Sequence, residues 1–298
     1  MKYFEHLILL KNIKGMGPAT IYKRYCSLVE EHPDFDDFKD CIIDEGLASQ
    51  FEVVSAESKI NKVRNALEQN NQVSIITCFD DDYPDRFNML GNQRPLYIYV
   101  AGNRSVLKDE TVAVIGTRKP SEYGVSAGRK IIAEIKKSVI VSGLALGTDR
   151  VAHEAAIHSS LKTIAVLPSG LNNIAPSSNR QLAGIIADGN GCLISEYDLD
   201  DRPEKYTYLR RDSLVAALSD VIVVIECGEK SGTMHTVEAA MKMHKPIACY
   251  YTDRGGDYSG NKKLIDSGSA VRLFEPGDIN DVINSVGKQI SMKDMMAE

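Results

Sequence analysis

Val112-Ala-Val-Ile-Gly-Thr-Arg-Lys-Pro-Ser-Glu-Tyr-Gly124 reads as a buried strand, a tight turn and the start of a helix. Val112–Ile115 is a short, uninterrupted apolar run, the signature of a strand covered on both faces. Gly116 permits the backbone to turn closely, and Ser121 suits a helix start. The same unit recurs downstream. Strand-like runs fall at Val139–Val141, Thr163–Leu167, Cys192–Ser195, Val221–Ile225, Ile247–Tyr250 and Ala270–Leu273. Helical patterns occupy 121–137, 148–160, 177–187, 208–218, 233–243, 260–267 and 278–288. Strands alternating with amphipathic helices predict an α/β fold, with a doubly wound, mostly parallel sheet of extended Rossmann-like type. Upstream, Val73–Cys78 and Leu96–Val100 read as two more strands, separated by the turn Asp80-Asp-Asp-Tyr-Pro84.

Residues 1–70 read as helical. Tyr3, Leu7, Leu9 and Leu10 open an apolar stripe; Gly15 and Gly17 then make a tight turn, and Pro18 begins a second helix. This is the outline of a helix-hairpin-helix. Such a turn can aim backbone N–H groups at a phosphate, but the acidic surroundings favour a packing role. Asp34–Glu45 and Ser58–Asn70 are further helix candidates. The expected division is a small all-helical domain over 1–71 and a Rossmann-like domain over 72–298.

The 298 residues carry 35 basic and 41 acidic side chains, a net charge of −6. Residues 1–80 hold 9 basic and 13 acidic groups, so most of the acidic excess is N-terminal. That balance excludes a protein coating duplex DNA by bulk charge, yet leaves room for a local basic groove. The six cysteines, Cys26, Cys41, Cys78, Cys192, Cys227 and Cys249, form no C-x-x-C pair. They suit buried thiols in a reducing compartment better than disulfides or a zinc site. The N-terminus has no signal-peptide pattern, and no apolar run reaches the ~18 residues of a membrane span. The expectation is a cytoplasmic protein with no cofactor, no metal and no membrane partner.

In a doubly wound sheet, ligands bind beyond the carboxyl ends of the strands. Five strand ends carry suitable chemistry. The first is Gly116-Thr-Arg-Lys119, where two cations meet a helix N-terminus. It lacks the G-x-G-x-x-G spacing of a dinucleotide site. The second is Ser142-Gly-Leu-Ala-Leu-Gly-Thr-Asp149, whose Asp149 shares a helix face with His153. That pair reads as structural, because two ligands do not make a metal site. The third carries Asn179 and Arg180 in a first helical turn, and the fourth leads to Tyr206-Thr-Tyr-Leu-Arg-Arg-Asp212. Arg210 and Arg211 among tyrosines suit single-stranded nucleic acid, where bases stack and phosphates pair. The fifth is Glu226-Cys-Gly-Glu-Lys-Ser-Gly-Thr233, where Ser231, Gly232 and Thr233 offer donors to an anion. Glu226 is expected to accept hydrogen bonds from a neighbouring loop. Of the six histidines, only His153 and His235 fall near this rim, and neither is expected to do chemistry. Together the strand ends predict one electropositive ledge for a sugar-phosphate chain, with Arg118, Arg180 and Arg210 on it.

Gly116-Thr-Arg-Lys, Val141-Ser-Gly-Leu-Ala, Gly147-Thr-Asp with Ala152-His153, Ala165-Val-Leu-Pro-Ser-Gly-Leu171, Asn179-Arg-Gln-Leu, Ile194-Ser-Glu-Tyr, Ser231-Gly-Thr and Gly260-Asn-Lys-Lys-Leu-Ile-Asp-Ser-Gly268 resemble the DNA-processing protein A family (DprA, also called Smf). The resemblance runs in order from about 80 to 285. It implies a protein that binds single-stranded DNA, forms a homodimer and helps load a RecA-type recombinase during DNA recombination and natural transformation. By motif position, the DNA- or phosphate-binding candidates are Gly116, Thr117, Arg118, Lys119, Ser142, Gly143, Asn179, Arg180, Arg210, Arg211, Ser231, Gly232 and Thr233. Departures from the pattern are Leu146 in place of an arginine, Asp212 where a second cation is expected and Ala175 in place of a tyrosine before Pro176. They imply weaker DNA binding than in a typical member, and a divergent relative without the winged-helix domain that many members carry.

Two other readings compete. One is a nucleotide-binding sensor, or a phage-defence or mobile-element component, built on the same core. The other is a nucleotide phosphoribohydrolase of the lysine-decarboxylase-like (LOG) type. In that type a glutamate follows the Gly-Thr pair. Here Thr236 takes its place, and Glu238 stands two residues later, about 200° round the helix. An enzyme is therefore not expected.

Overall fold

In a computed structural model, residues 2–286 are described. The chain begins with five helices: α1 (Phe4–Asn12), α2 (Pro18–Arg24), α3 (Cys26–Glu31), α4 (Phe35–Asp44) and α5 (Gln50–Gln69). Two strands follow, β1 (Val73–Thr77) and β2 (Tyr97–Gly102). The alternating part then runs β3 (Thr111–Ile115), α6 (Glu122–Glu134), β4 (Val139–Ser142), α7 (Thr148–His158), β5 (Thr163–Val166), α8 (Arg180–Asp188), β6 (Cys192–Ser195), α9 (Lys205–Leu218), β7 (Val221–Val224), α10 (Thr233–Lys242), β8 (Ile247–Tyr250), α11 (Ser259–Asp266) and β9 (Val271–Leu273). The helix read over 278–288 runs into positions outside the described residues.

The strands form one sheet in the order β1-β2-β6-β5-β4-β3-β7-β8-β9. β1–β2 and β2–β6 are antiparallel; every other pairing is parallel. The chain therefore builds outward from β3 in both directions. Crossovers α6, α7 and α8 lead to one side of β3, and α9 carries the chain back to β7 on the other. Alternate residues of each strand serve opposite faces. Val112 and Val114 pack with Ile131, Ile132 and Ala152 of α6 and α7, while Ala113 and Ile115 pack with Leu214, Val215 and Val237 of α9 and α10. The point where the strand order reverses, between β3 and β7, is where a doubly wound sheet opens a crevice.

The helical segment shares a core with the antiparallel edge of the sheet. Leu7, Leu10, Phe38, Val53 and Ile60 pack in one cluster with Ile75, Tyr97 and Tyr99. Tyr22 of α2 and Tyr83 both donate to the Pro95 carbonyl, at 2.9 and 2.6 Å, tying the layers together. α5 begins at Gln50, well before the expected Ser58. A capping box sets that start: Ser49 accepts from the Glu52 N–H, and Glu52 accepts from the Ser49 N–H. The same Glu52 carboxylate accepts the Lys14 N–H at 2.9 Å, just before the Gly15–Gly17 turn. That backbone N–H is thus spent on a carboxylate of the same chain.

Candidate nucleic-acid interface

A cleft of about 390 Å³ opens at the reversal point, above the ends of β3 and β7. Its walls come from the Gly116–Arg118 turn, Gly143 and Ala145 after β4, Asp149 of α7, one face of α9, and the Ser231–Thr233 entry to α10.

The Gly116–Arg118 turn is fixed from below. Thr117 N–H donates to the Glu226 carbonyl at 2.7 Å, and the Thr148 N–H and hydroxyl both donate to the Thr117 carbonyl. Gly147 passes beneath at φ +77°, and a Cβ there would stand 2.5 Å from the Arg118 carbonyl carbon. Only glycine combines that dihedral with that approach. The turn lifts Arg118 to the exposed rim, where its guanidinium lies 5.4 Å from the centre of the Tyr208 ring. Lys119 is exposed beside it. Opposite, Gly232 holds the N-cap of α10 and contributes no side chain, and the Thr233 N–H reaches the Ser231 hydroxyl at 3.3 Å. This helix end and Arg118 make one anion-seeking corner.

The floor is Arg211, only 5% exposed. Its Nη1 lies 3.4 Å from Asp149 Oδ2, and its Nε lies 3.0 Å from Asp212 Oδ1. The Nε contact is outside hydrogen-bonding alignment, so that N–H has no hydrogen-bond partner. Burial, with the neighbouring Asp149 adding to it, pushes the Asp212 carboxyl up to about 6 against the downward pull of Arg211, His235 and Arg118. Ala145 N–H donates to Asp149 Oδ2 at 3.2 Å.

Several expected site residues stand elsewhere. Arg210 and Arg211 are neighbours in sequence, but successive residues on a helix point about 100° apart. Tyr208, Arg211 and Asp212 face the cleft. Tyr206 and Arg210 face a second hollow of about 510 Å³ between α1, α5 and the sheet edge. There the Arg210 fork grips Glu196 at 2.6 and 2.8 Å and also donates to the Gln93 carbonyl. Arg180 is exposed on α8 and lines neither hollow. Asn179 is buried, and its amide donates to the Leu144 and Ala145 carbonyls at 2.9 and 3.2 Å, bracing the loop after β4. Ser142 is buried, donating to the Val114 carbonyl at 2.8 Å. Of the three arginines expected on one ledge, Arg118 lines the cleft, Arg210 is held by Glu196 in the second hollow, and Arg180 lines neither. Arg210 and Arg211 also meet carboxylates already in place.

Asp149 and His153 have separate partners rather than each other. The His153 Nδ1 pairs with the Thr163 hydroxyl at 2.7 Å, and burial, then Arg211, holds the ring down to about 3. Glu226 does what its position suggested. It accepts from the Ser121 N–H and hydroxyl at 2.9 and 2.7 Å and from the Asp257 N–H at 3.3 Å, locking the start of α6. Asn261, quoted within the Gly260–Gly268 motif but given no role of its own there, is fully buried. Its amide donates to the carbonyls of Val224, Ile225 and Tyr250, and its oxygen accepts the Cys227 N–H at 2.8 Å. Its signal was its place in that motif, just after a helix start beyond a strand.

Fold and cleft together define an extended Rossmann-like protein with an anion-seeking crevice at the reversal of its strand order. Residues 74–286 match the family model for DNA recombination-mediator protein A, and the chain belongs to that family. It is 31% identical to Protein Smf of Escherichia coli over 215 residues, which cover 72% of this chain and 57% of that protein. It is 35% identical to the DNA processing protein DprA of Streptococcus pneumoniae over 172 residues, covering 57% and 60%. The chain thus spans a little over half the length of these curated relatives. The X-ray structure of S. pneumoniae DprA superposes with a TM-score of 0.77 at 28% identity, covering 94% of this chain and 98% of that one. DNA processing protein A from Helicobacter pylori, studied for its single-stranded DNA binding mode, superposes with a TM-score of 0.64 at 32% identity, covering 73% and 97%.

Proposed function

We propose that this chain binds single-stranded DNA through the cleft at the β3–β7 reversal, as a recombination mediator without catalytic turnover. The observation that carries this reading is the corner formed by Arg118 and the start of α10, with the Tyr208 ring beside it. A phosphodiester can sit against the guanidinium and the helix end while a base reaches an aromatic face. The contact set in this reading is Gly116, Thr117, Arg118, Lys119, Gly143, Arg211, Ser231, Gly232 and Thr233. The single-stranded DNA binding named for the H. pylori relative supports it. Membership of the recombination-mediator family supports a RecA-type recombinase and a second copy of the chain as partners.

The geometry also favours binding over hydrolysis. Thr236 lines the cleft where the similar nucleotide hydrolases carry a glutamate, and Glu238 is exposed on α10. The test is a salt titration comparing single-stranded DNA, duplex DNA and a panel of mononucleotides. A single-strand preference with affinity falling steeply in salt is the expected result. Saturable mononucleotide binding without strand binding would move the assignment to a nucleotide sensor.

A further inference from the structure

The cleft contains its own counter-charge. Two guanidinium groups, Arg118 and Arg211, meet two carboxylates, Asp149 and Asp212. The two carboxylates are not equivalent. Asp149 is held by the Ala145 N–H as well as by Arg211. The Asp212 carboxylate makes no hydrogen bond among the described residues, and its ion pair is with the misaligned Nε of Arg211. Asp212 therefore occupies the buried cation without using its hydrogen-bonding capacity, in a cleft already balanced in formal charge.

We propose that Asp212 is a proton-operated gate on this cleft: a strand phosphate enters with uptake of one proton by Asp212, which frees Arg211 to face the phosphate. This rests on the strand-binding reading above and deepens it. An incoming phosphodiester carries one negative charge. Added to two cations and two carboxylates, it leaves one charge uncompensated in a partly buried site, where that costs most. Protonating Asp212 restores the balance. It also turns a repelling carboxylate into an O–H donor for a phosphate oxygen. The charged and titratable groups facing Asp212 are Arg211 on its own helix, Asp149 on α7, Arg118 on the turn after β3 and His235 on α10. The gate also selects. A phosphodiester within a strand is a monoanion and needs one proton, whereas a terminal phosphomonoester dianion would bring a second uncompensated charge. Free mononucleotides are thus disfavoured at neutral pH.

The experiment measures anisotropy of a rhodamine-labelled oligothymidylate without a 5′-phosphate, from pH 5 to 8.5 at constant ionic strength. For the unmodified protein, Kd should fall with acidification, approaching tenfold per pH unit above pH 6, the limit for one linked proton. Asp212→Asn should remove that slope and bind at least tenfold tighter at pH 8. Asp212→Ser is a second variant with the same expectation. His235→Gln should keep the slope, which assigns the proton to Asp212. An unchanged slope in Asp212→Asn and Asp212→Ser, or no gain in affinity at pH 8, overturns the gate. Absence of strand binding at every pH overturns the strand-binding reading instead. The gate is then read from thermal stabilisation by dimethyl phosphate, a monoanion over this range. Stabilisation of the unmodified protein at pH 5.5 only, and of Asp212→Asn at both pH 5.5 and 8, supports it; equal stabilisation of both proteins at both values overturns it.

Discussion

Gly143 and Arg211 occupy one another's space: a Cβ built on Gly143 would fall on the Arg211 Nη1 atom. The turn after β4 therefore has to be glycine for the buried guanidinium to reach Asp149. Gly143→Ala should displace Arg211 and cost about 1–3 kcal/mol, the usual penalty for overpacking a filled site. Strand affinity should fall with it. Chemical denaturation alongside binding would show both losses; a variant with native stability would mean that Arg211 has room the geometry does not show.

Arg118 and Arg210 should separate binding from stability. Arg118 is exposed and touches the protein through the Tyr208 ring. Arg118→Glu should weaken oligonucleotide binding and flatten its salt dependence, with little change in Tm. Arg210→Ala should do the reverse. It strips the partner from Glu196, whose side chain is 12% exposed, so a loss of about 1–3 kcal/mol is expected with the salt slope intact. A matching loss of affinity in both variants would place the strand across both hollows.

Asn261→Ala should be among the most damaging single changes in the chain. It removes the donors serving three buried carbonyls and the acceptor for one N–H. Unsatisfied buried groups cost ~1–3 kcal/mol each, partly relieved by water and relaxation. A loss above about 3 kcal/mol by urea denaturation is expected, and a loss below about 1 kcal/mol would contradict the bridging role.

Two groups give stability opposite dependences on pH. Burial holds His153 down to about 3 when folded, against the 6.5 of an ordinary histidine. The unfolded chain thus takes up a proton first, and stability falls as pH drops from 6.5 toward 3. Asp212 sits at about 6 when folded, against 3.8. Here the folded chain takes the proton first, so stability rises as pH drops from 6 toward 3.8. Each slope approaches about 1.4 kcal/mol per pH unit, and the two oppose each other between about 4 and 6. Asp212→Asn should therefore be more stable than the unmodified protein at pH 7.5, by up to about 3 kcal/mol. It should also lose stability more steeply below pH 6. Denaturation midpoints at pH 5 and 7.5 for both proteins decide this; parallel profiles would contradict it.

Much of the sheet was legible because a strand buried on both faces must be apolar throughout, and runs such as Cys192–Ser195 and Ile247–Tyr250 end where the apolar pattern ends. The start of α5 was not, because it is set by the Ser49–Glu52 capping box, a local polar signal that the reading from Ser58 left out. The site was legible at the level of loops and not of side chains. Reading Arg210 and Arg211 as one basic pair ignored the turn of the helix between them, which sends one to each hollow. Asn179 and Ser142 lie in the right loops, but their polar atoms are spent on neighbouring carbonyls. Nothing in a one-dimensional pattern distinguishes a polar group that faces outward from one that holds its own loop together.

The cluster joining Leu7, Phe38 and Ile60 to Tyr97 and Tyr99 has a practical consequence. On that packing, the five leading helices should not lift off as an independent module. Severing the chain near residue 72 would leave the flank of β1 and β2 bare and greasy, a surface inviting self-association. Both pieces should melt as one cooperative unit in the intact chain, so a strand seated far away in the cleft would protect the N-terminal amides from exchange with solvent as well.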